Sequence, residues 1–323
     1  MSTLVIGEAL IDEVAFADGS CLRGPGGSML NVAIGLRRLG RTVRLVTDFG
    51  LDPDGEILAE YTASNGLELW LRADAERTNP TSVSRTVIGG DGVSSQSLTF
   101  TWDIQDIPES GACKLDLQVL APTCLAFGSA ACHVEPGASK VRNWVSHLRD
   151  SATIVYDPNV SACLIDDRAN ARDRVEDFVA LADIVKASDE DVARLYGARA
   201  DSGDIAAGWL SLGPSLVIVT RGTADTLLYP RSGSPIRIPS QQVDVIDTAG
   251  ADDSFFAALI DGLTRISLDG AAHRDNLNDI SRTHLQSLGA YASTAASLTA
   301  SRRGAVPPTR EELAAVNGRY RAM

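Results

Sequence analysis

The sequence predicts an α/β fold with a mainly parallel sheet that is covered by helices on both faces. Short apolar runs of strand type alternate along the chain with segments in which apolar residues return every three or four positions. This alternation is typical of βαβ units. The chain has 323 residues. At roughly 150 residues per domain, it forms either two domains or one large α/β domain with an inserted part.

The strands and helices of this sheet follow one another in order. Strands are predicted over residues 4–6, 43–46, 124–127, 153–156, 184–186 and 216–219. Helices are predicted between them, for example over residues 31–39, 138–148 and 174–181, because their apolar spacing is helical. We therefore expect the parallel sheet to form the body of the protein.

Two segments depart from the alternation, residues 12–24 and 81–103. In the second segment, two runs with period 2 flank a connection rich in glycine and aspartate at residues 89–92, and the first segment has Asp18-Gly19 at its centre. Both patterns indicate β-hairpins. We interpret them as antiparallel strands that project from the main sheet and form a small lid. The alternative is a pair of ordinary surface hairpins.

Charge and composition exclude several classes of function. The 29 Lys and Arg residues against 42 Asp and Glu residues give a net charge of −13, so the basic surface of a nucleic-acid-binding protein is missing. No apolar run reaches the ~18 residues of a membrane span, and the N-terminus lacks the basic region of a signal peptide. These features predict a cytoplasmic protein without a membrane partner. The five cysteines form no CxxC pair and the four histidines no ligand pattern, so no zinc site is predicted.

A glycine-rich segment, Gly24-Pro25-Gly26-Gly27, lies directly before a helical pattern that contains Asn31. Glycines at this place let the backbone approach a ligand closely, and the start of a helix presents free N–H groups. The segment matches neither GxGxxG nor GxxxxGK[ST], which disfavours a dinucleotide site and a Walker-type loop. A simple turn before the helix is the alternative.

A second segment, residues 243–258, combines the features that phosphoryl transfer needs. A strand-like run ends at Asp247-Thr248, a Gly-Ala turn follows, and Asp253 lies in the first turn of an apolar helix. Free N–H groups in residues 249–253 can stabilise a transferring phosphate. A carboxylate beside them can orient and deprotonate an attacking hydroxyl. The alternative for Asp253 is a helix N-cap.

Together, the two segments resemble the paired signatures of the PfkB, or ribokinase-like, family of carbohydrate kinases. Residues 26–33 resemble its GG-x-x-x-N-x-A segment, and residues 247–255 resemble its D-T-x-G-A-G-D-x-F segment. Blocks expected from the family occur in the right order at residues 7–12, 50–55, 157–159, 186–191, 220–222 and 292–305. The resemblance therefore covers essentially the whole chain.

The resemblance implies a single ribokinase-like domain over residues 1–323, in which a doubly wound sheet carries the lid over the sugar. ATP, Mg²⁺ and, in some members, K⁺ are the cofactors that it implies. Asp253 corresponds to the catalytic base, and the segment from Gly250 through Ala251 and Asp252 to Asp253 corresponds to the anion hole. The implied sugar contacts are Asp12, Gly26, Gly27 and Asn31. The implied nucleotide contacts are Ser188, Thr220, Arg221, Gly222 and Gly250. Asp191 corresponds to a residue that acts on Mg²⁺ through water, and Asp247 with Gly304 to a monovalent-cation site.

Four positions, in three motifs, depart from the family pattern. Ser188 and Asp191 replace the Asn and Glu of N-x-x-E, Ser161 replaces an Arg that many members carry, and Asp252 replaces the second Gly of the anion hole. A carboxylate at the last position repels a phosphate and raises the pKa of one of the two neighbouring acids. We expect either reduced activity or an Asp252 side chain that is turned away toward solvent or metal.

The motifs do not fix the substrate. Residues 7–12, 27–33, 127–130 and 135–138 are most similar to the fructokinase branch, which favours transfer of the γ-phosphate of ATP to the terminal hydroxymethyl of fructose. The alternatives are 2-keto-3-deoxygluconate, ribose, another ketose or a nucleoside. A catalytically weak sugar- or nucleotide-binding protein is an alternative of another class, motivated by Asp252 and Ser161. Four residues of the predicted lid are expected either to line the sugar pocket or to pack in the lid or in a homodimer contact: Glu13, Phe16, Phe100 and Trp102.

Overall fold

The computed structural model describes residues 2–89, 94–108, 111–165, 167–241 and 243–316. Its strands are β1 (Ser2–Ile6), β2 (Leu10–Phe16), β3 (Cys21–Gly26), β4 (Thr42–Val46), β5 (Glu68–Trp70), β6 (Val83–Ile88), β7 (Ser94–Thr99), β8 (Cys124–Gly128), β9 (Thr153–Asp157), β10 (Ile184–Ser188), β11 (Leu216–Thr220), β12 (Asp225–Pro230) and β13 (Ile236–Pro239). Its α-helices are α1 (Ser28–Arg38), α2 (Pro53–Ser64), α3 (Gly111–Leu120), α4 (Gly137–Leu148), α5 (Arg168–Val179), α6 (Asp189–Tyr196), α7 (Ser202–Leu212), α8 (Ala251–Arg265), α9 (Arg274–Asn278), α10 (Arg282–Ala300) and α11 (Arg310–Val316).

Nine of the described strands form the main sheet, in the order β13-β12-β11-β10-β9-β8-β1-β4-β5. From β11 to β5 neighbouring strands are parallel, whereas β12 and β13 pair antiparallel at one edge. All six runs that the sequence predicts as strands of the main sheet lie in it, so that prediction is confirmed. The sequence analysis did not predict β5, β12 and β13, which extend the sheet at its edges.

Helices cover both faces of the sheet. The side chains of Leu4 and Ile6 in β1 point into one hydrophobic core, and that of Val5 points into the other. Helices α1, α8 and α10 supply apolar residues to the core that contains Val5, and α4, α5 and α7 supply the core that contains Leu4. Strands buried on both faces are typical of parallel sheets. The prediction of a doubly wound sheet is therefore confirmed.

A second, four-stranded sheet contains the two predicted hairpins, in the order β3-β2-β6-β7. Both hairpins are antiparallel, and β2 pairs parallel with β6 between them. The turn of the first hairpin is centred on Asp18 and Gly19, where the Asp18 carboxylate accepts the Ser20 N–H at 2.8 Å and Gly19 has a φ of 85°. The predicted Gly-rich turn of the second hairpin includes residues 90–92, which lie outside the described residues.

The parallel strands bring distant parts of the chain together at one edge of the main sheet. The segments that follow β1, β8, β9, β10 and β11 all leave at the carboxyl ends of their strands, which is where open α/β sheets bind ligands. The small sheet begins directly after β1. Among the described residues, no helix has the length and apolar character that crossing a membrane requires.

Candidate active site

The start of helix α8 carries the residue predicted to act as the base. Gly250 precedes the helix with a φ of 70°, a left-handed conformation that glycine adopts without strain. A Cβ at this position would lie 2.5 Å from that of Ala305, so the turn also needs the small residue for space. Asp253 therefore lies in the first turn of α8, where its side chain is almost completely buried.

Two residues of α1 hold the Asp253 carboxylate. The Ser28 hydroxyl donates to Oδ1 at 2.6 Å, and the Asn31 amide donates to Oδ2 at 2.8 Å. Ser28 and Asn31 are three residues apart on α1, so their side chains lie on the same face of the helix. The structure thus places Asn31, predicted as a sugar contact, directly against the predicted base.

Burial raises the pKa of Asp253 to about 6. The hydrogen bonds from Ser28 and Asn31 and the charge of Lys186 oppose this increase, whereas the charge of Asp252 adds to it. A carboxylate that titrates near neutral pH can accept a proton from a substrate hydroxyl more readily than one with an ordinary pKa. The environment of Asp253 therefore suits a general base.

A second buried carboxyl group, that of Glu8, lies next to this arrangement. Glu8 follows β1, and its Oε1 accepts the Ser28 N–H at the start of α1 at 2.9 Å. Burial raises the pKa of Glu8 to about 7, and the negative charge of Asp253 contributes to the increase. Glu8 thus fixes the backbone of Ser28, whose hydroxyl holds the Asp253 carboxylate.

The Asp252 side chain has a counter-ion that the sequence analysis did not foresee. Its Oδ2 lies 3.2 Å from Nζ of Lys186, which also contacts Oδ2 of Asp157 at 3.0 Å. The expectation was either reduced activity or an Asp252 side chain turned toward solvent or metal; the side chain is 50% exposed and also pairs with a buried ammonium on β10. This ion pair balances part of the charge at Asp252 that, together with Ser161, motivated the alternative of a catalytically weak binding protein.

Asp12, Gly26 and Gly27 lie close together where β2 and β3 pair. A Cβ on Gly26 would lie only 1.9 Å from Oδ2 of Asp12, and a Cβ on Gly27 would lie 2.6 Å from the carbonyl oxygen of Glu8. Gly27 also has a φ of 110°. Neither position has room for a side chain, so both must be glycine. The Asp12 side chain lies across the backbone just before α1.

Phe100 and Trp102, which were expected either to line the sugar pocket or to pack, directly follow the second hairpin. The hairpin ends at Thr99, and Phe100 and Trp102 stack on each other with ring centroids 5.9 Å apart. Trp102 is only 2% exposed and belongs to the hydrophobic core beside α4. A Cβ on Gly137 would lie 2.0 Å from its ring. The structure therefore gives Trp102 a packing role, and Phe100 packs against the same core.

A cleft of about 460 Å³ opens beside the start of α8. Residues from several predicted sites line it together: Ser188, Gly222, Gly250, Ala251, Asp252 and Asp253. Further lining residues that the sequence analysis did not single out include Asn159, Asp189, Glu190, Arg194 and Val245. The structure thus joins three of the five predicted nucleotide contacts, Ser188, Gly222 and Gly250, to the predicted base in one cleft.

Thr220 and Arg221 are not among the residues that line this cleft. Thr220 ends β11 and is buried, and its hydroxyl donates to the carbonyl of Ala187 at 3.4 Å. The guanidinium of Arg221 is ion-paired with the buried carboxylate of Asp225. These two residues shape the turn that carries Gly222, and their contacts to a nucleotide remain predictions.

Asp191 has a structural role at the start of α6. Its Oδ2 accepts both the N–H and the hydroxyl of Ser188, at 2.8 and 2.7 Å, and its Oδ1 accepts the Val160 N–H at 2.7 Å. Ser188 returns the interaction by capping the N–H of Asp191, which forms a capping box. Asp191 is 1% exposed, so its predicted action on Mg²⁺ through water stays a prediction that this geometry does not favour.

Asp247 and Gly304 lie in contact, as the predicted cation site requires. The Gly304 N–H donates to Oδ2 of Asp247 at 2.8 Å, and the Ala249 N–H donates to Oδ1 at 3.0 Å. Both carboxylate oxygens therefore already accept a backbone hydrogen bond. Each oxygen retains a lone pair that could bind a cation.

The sequence analysis missed Glu8, Ser28 and Lys186 as site residues. A signal for Lys186 was present, because a lysine inside a buried strand requires a counter-charge. A signal for Ser28 was its position one helical turn before Asn31. Glu8 gave no signal of its own, because its burial depends on how β1 and α1 pack together.

Comparisons with known proteins identify the family of the chain. A family model described as pfkB family carbohydrate kinase matches residues 2–312. A fructokinase from Klebsiella pneumoniae is 31% identical over 302 residues, which cover 90% of this chain and 92% of the relative. A fructokinase from Rhizobium leguminosarum bv. trifolii is 29% identical over 266 residues, with 80% and 79% of the two chains covered.

Solved structures have the same fold. A fructokinase with bound ATP from Xylella fastidiosa aligns with a TM-score of 0.82 at 22% identity and covers 98% of both chains. An uncharacterized sugar kinase from Pyrococcus horikoshii in complex with ATP aligns with a TM-score of 0.76 at 25% identity and covers 97% of both chains. A fructokinase double mutant from Vibrio cholerae, bound to fructose, ADP and a potassium ion, aligns with a TM-score of 0.77 at 21% identity and covers 98% of both chains.

Proposed function

The chain belongs to the pfkB family of carbohydrate kinases, and we propose that it transfers the γ-phosphate of ATP to the terminal hydroxymethyl group of fructose. Membership makes it a phosphotransferase that acts on a sugar hydroxyl. The choice of fructose is supported by the curated relatives, several of which are fructokinases. The single observation that carries the mechanism is the buried Asp253 carboxylate at the start of α8.

In this mechanism Asp253 accepts the proton of the attacking hydroxyl. Ser28 and Asn31 donate one hydrogen bond to each carboxylate oxygen. These bonds fix the plane of the carboxylate, and each oxygen keeps a lone pair for the substrate proton. With a pKa of about 6, Asp253 is mostly ionised at neutral pH and ready to act as a base.

The first turn of α8 supplies the site for the transferring phosphate. The first N–H groups of a helix have no carbonyl partners within it, and the helix dipole favours an anion at this end. The Ala251 N–H already donates to the Thr248 carbonyl at 3.2 Å. We therefore assign the anion hole mainly to the N–H groups of Asp252 and Asp253, rather than equally to residues 250–253.

Magnesium fits this cleft as a companion of the nucleotide. The described residues hold no group of three or more His, Cys, Asp or Glu side chains that could bind a metal ion. Mg²⁺ commonly binds through one or two carboxylates together with substrate phosphates and water. Asp189 and Glu190 line the cleft and would interact with it. When bound, the ion would reduce the negative charge that develops on the phosphates.

A monovalent cation near Asp247 and Gly304 remains part of the proposal. It is supported by the contact between these two residues and by the potassium ion in the Vibrio cholerae structure. Titrating KCl into a potassium-free assay would test it. Activation in the wild type that is lost in Asp247→Ala is the expected result.

Pairing of two chains through the small sheet stays a prediction, but the structure points to other contact residues than the sequence did. The sequence analysis favoured the aromatic end of the second hairpin, but Trp102 is buried and Phe100 is partly buried. Among the described residues of the small sheet, Leu22 and Val87 are the large exposed apolar ones, at 65% and 41%. Light scattering would measure the oligomeric state.

A coupled assay of ADP release with a panel of sugars tests the proposed reaction. The panel contains fructose, ribose, 2-keto-3-deoxygluconate, glucose and a nucleoside, with ATP alone as the background. We expect the highest kcat/KM with fructose. Higher kcat/KM with another member would reassign the substrate, and no turnover above the ATP background with any member would refute the kinase activity.

The role of Asp253 is tested in the same assay. Asp253→Ala should lose about 10²- to 10⁴-fold in turnover, the usual contribution of a general base. Asp244→Ala is the matched control, because Asp244 is an exposed acid of the preceding segment and is not among the residues that line the cleft. Near-normal turnover of Asp253→Ala would refute the assignment of the base.

A further inference from the structure

Lys186 lies behind the nucleotide cleft and is closed off from it by Asp252. The Lys186 and Asp157 side chains are each 1% exposed, whereas the Asp252 side chain is 50% exposed. Asp252 is among the residues that line the cleft, and Lys186 is not. The Asp252 carboxylate therefore stands between a buried ammonium and the space that would hold a polyphosphate.

The charges that line the cleft make this ammonium important. The lining contains four acids, Asp189, Glu190, Asp252 and Asp253, against one cation, Arg194. A polyphosphate entering such a cleft meets repulsion unless positive charge lies nearby. Lys186 is a further cation that lies directly behind the lining, because its Nζ contacts the carboxylate of Asp252.

Asp252 provides a large share of the counter-charge for Lys186. Burial by itself lowers the pKa of Lys186, but the carboxylates of Asp157 and Asp252 raise it above its usual range. Burial also raises the pKa of Asp157 to about 8, against the effect of the ammonium. Asp157 is thus less completely ionised than an ordinary carboxylate, and its Oδ1 has no hydrogen-bond partner among the described residues.

We propose that Asp252 is an internal competitor of the nucleotide: its ion pair with Lys186 occupies the ammonium that a phosphate oxygen of ATP would otherwise contact. The proposal rests on the proposed kinase function of this cleft. On nucleotide binding, the Asp252 side chain leaves Lys186 and turns toward solvent, to which it is already half exposed. Lys186 keeps its ion pair with Asp157. The ion pair thus weakens nucleotide binding without contributing to sugar binding.

The test is direct titration of ADP with Mg²⁺ by calorimetry, without sugar, on the full-length protein. Asp252→Asn removes the charge but keeps the shape of the side chain. We expect its Kd for ADP to decrease by about three- to tenfold, on the scale of one partly exposed ion pair. In steady-state assays the KM for ATP should decrease in the same proportion, and the KM for the sugar should not change.

A matched control separates this mechanism from simple charge repulsion. Asp189→Asn removes one negative charge from the same cleft, but no ion pair joins Asp189 to Lys186 among the contacts of the described residues. Both variants are compared with ADP in the absence of Mg²⁺, because Asp189 would interact with the ion. The proposal requires a clearly larger gain from Asp252→Asn than from Asp189→Asn. Equal gains would overturn it, since the effect would then be general electrostatics.

A double-mutant cycle with Lys186→Met gives the sharper test. In the Lys186→Met background, Asp252→Asn should improve the Kd for ADP no more than Asp189→Asn does in the same background, because only the repulsion that any carboxylate of the cleft exerts is left to remove. Thermal unfolding checks that Lys186→Met is folded, and if it is not, the comparison of Asp252→Asn with Asp189→Asn decides alone. A gain from Asp252→Asn that still exceeds the gain from Asp189→Asn in the methionine background would overturn the proposal.

The outcomes also distinguish this proposal from the proposed function. If the sugar panel shows no turnover but ADP binds, the titrations still decide the role of Asp252. If ADP binds neither the wild type nor any variant, both the competitor role and the kinase function are refuted.

Discussion

Removing the Ser28 hydroxyl should shift the pH dependence of the enzyme by a predictable amount. Ser28 donates to Oδ1 of Asp253 at 2.6 Å, and this bond stabilises the ionised carboxylate. In Ser28→Ala the remaining donor is Asn31, so the pKa of Asp253 must increase from its value of about 6. The activity requires the ionised base, so the acid limb of the pH profile moves to higher pH.

The size of the shift follows from the strength of the hydrogen bond. A bond to a charged group contributes about 1.5–3 kcal/mol, and water recovers part of this in the variant. About 1.4 kcal/mol corresponds to one pKa unit, so we expect an increase of about one unit. At pH 6 the ionised fraction then falls from about one half to about one tenth, whereas at pH 8 it stays near nine tenths or above.

The assay is kcat/KM for the sugar measured from pH 5 to pH 9, because this ratio reports the pKa values of the free enzyme. Ser28→Ala should lose about fivefold at pH 6 and almost nothing at pH 8. Ser254→Ala is the control, since the Ser254 hydroxyl is buried one residue from Asp253 but bonds to Thr299 instead, at 2.7 Å. A loss that is equal at every pH would refute the ionisation argument and assign Ser28 a geometric role only.

Three further predictions test other parts of the site. Gly26→Ala should raise the KM for the sugar at least tenfold and leave the KM for ATP unchanged, because the new Cβ would displace the Asp12 carboxylate; an unchanged sugar KM would contradict this. Glu8→Gln keeps an acceptor for the Ser28 N–H and should retain most of the kcat at pH 6, whereas Glu8→Leu should lose about tenfold or more; equal losses would contradict the positioning role. Asp191→Ala should lower the free energy of unfolding in urea by about 2–4 kcal/mol, because a buried capping carboxylate is lost; a change only in the Mg²⁺ dependence would instead support the metal role.

The departure at Asp252 illustrates how a single position depends on its surroundings. Beside the anion hole, an isolated carboxylate would repel the phosphates that the cleft must bind. The ammonium of Lys186 lies 3.2 Å away and accommodates this charge. Asp252 and Lys186 are therefore best regarded as one unit.

The sequence by itself determined the fold class and the identity of the two signature segments. Apolar periodicity predicted the six strands that were tested, because strands buried on both faces must be apolar along their length. Glycines next to a helical pattern predicted the close approach at Gly26 and the turns at Gly27 and Gly250, because only glycine tolerates this approach and these backbone conformations. These are local properties of the chain.

Only the tertiary structure decided which side chains meet. Asp253 and Ser28 are 225 residues apart in sequence, yet they share a hydrogen bond, and Lys186 on β10 reaches Asp252 on α8. The burial of Trp102 and the hydrogen bond that the Val160 N–H donates to Asp191 also depend on neighbours from other elements. Periodicity cannot supply such contacts, because they depend on the order and packing of parallel strands. The sequence therefore predicted which residue types carry the chemistry, and the packing decided their partners, their pKa values and the charge that surrounds them.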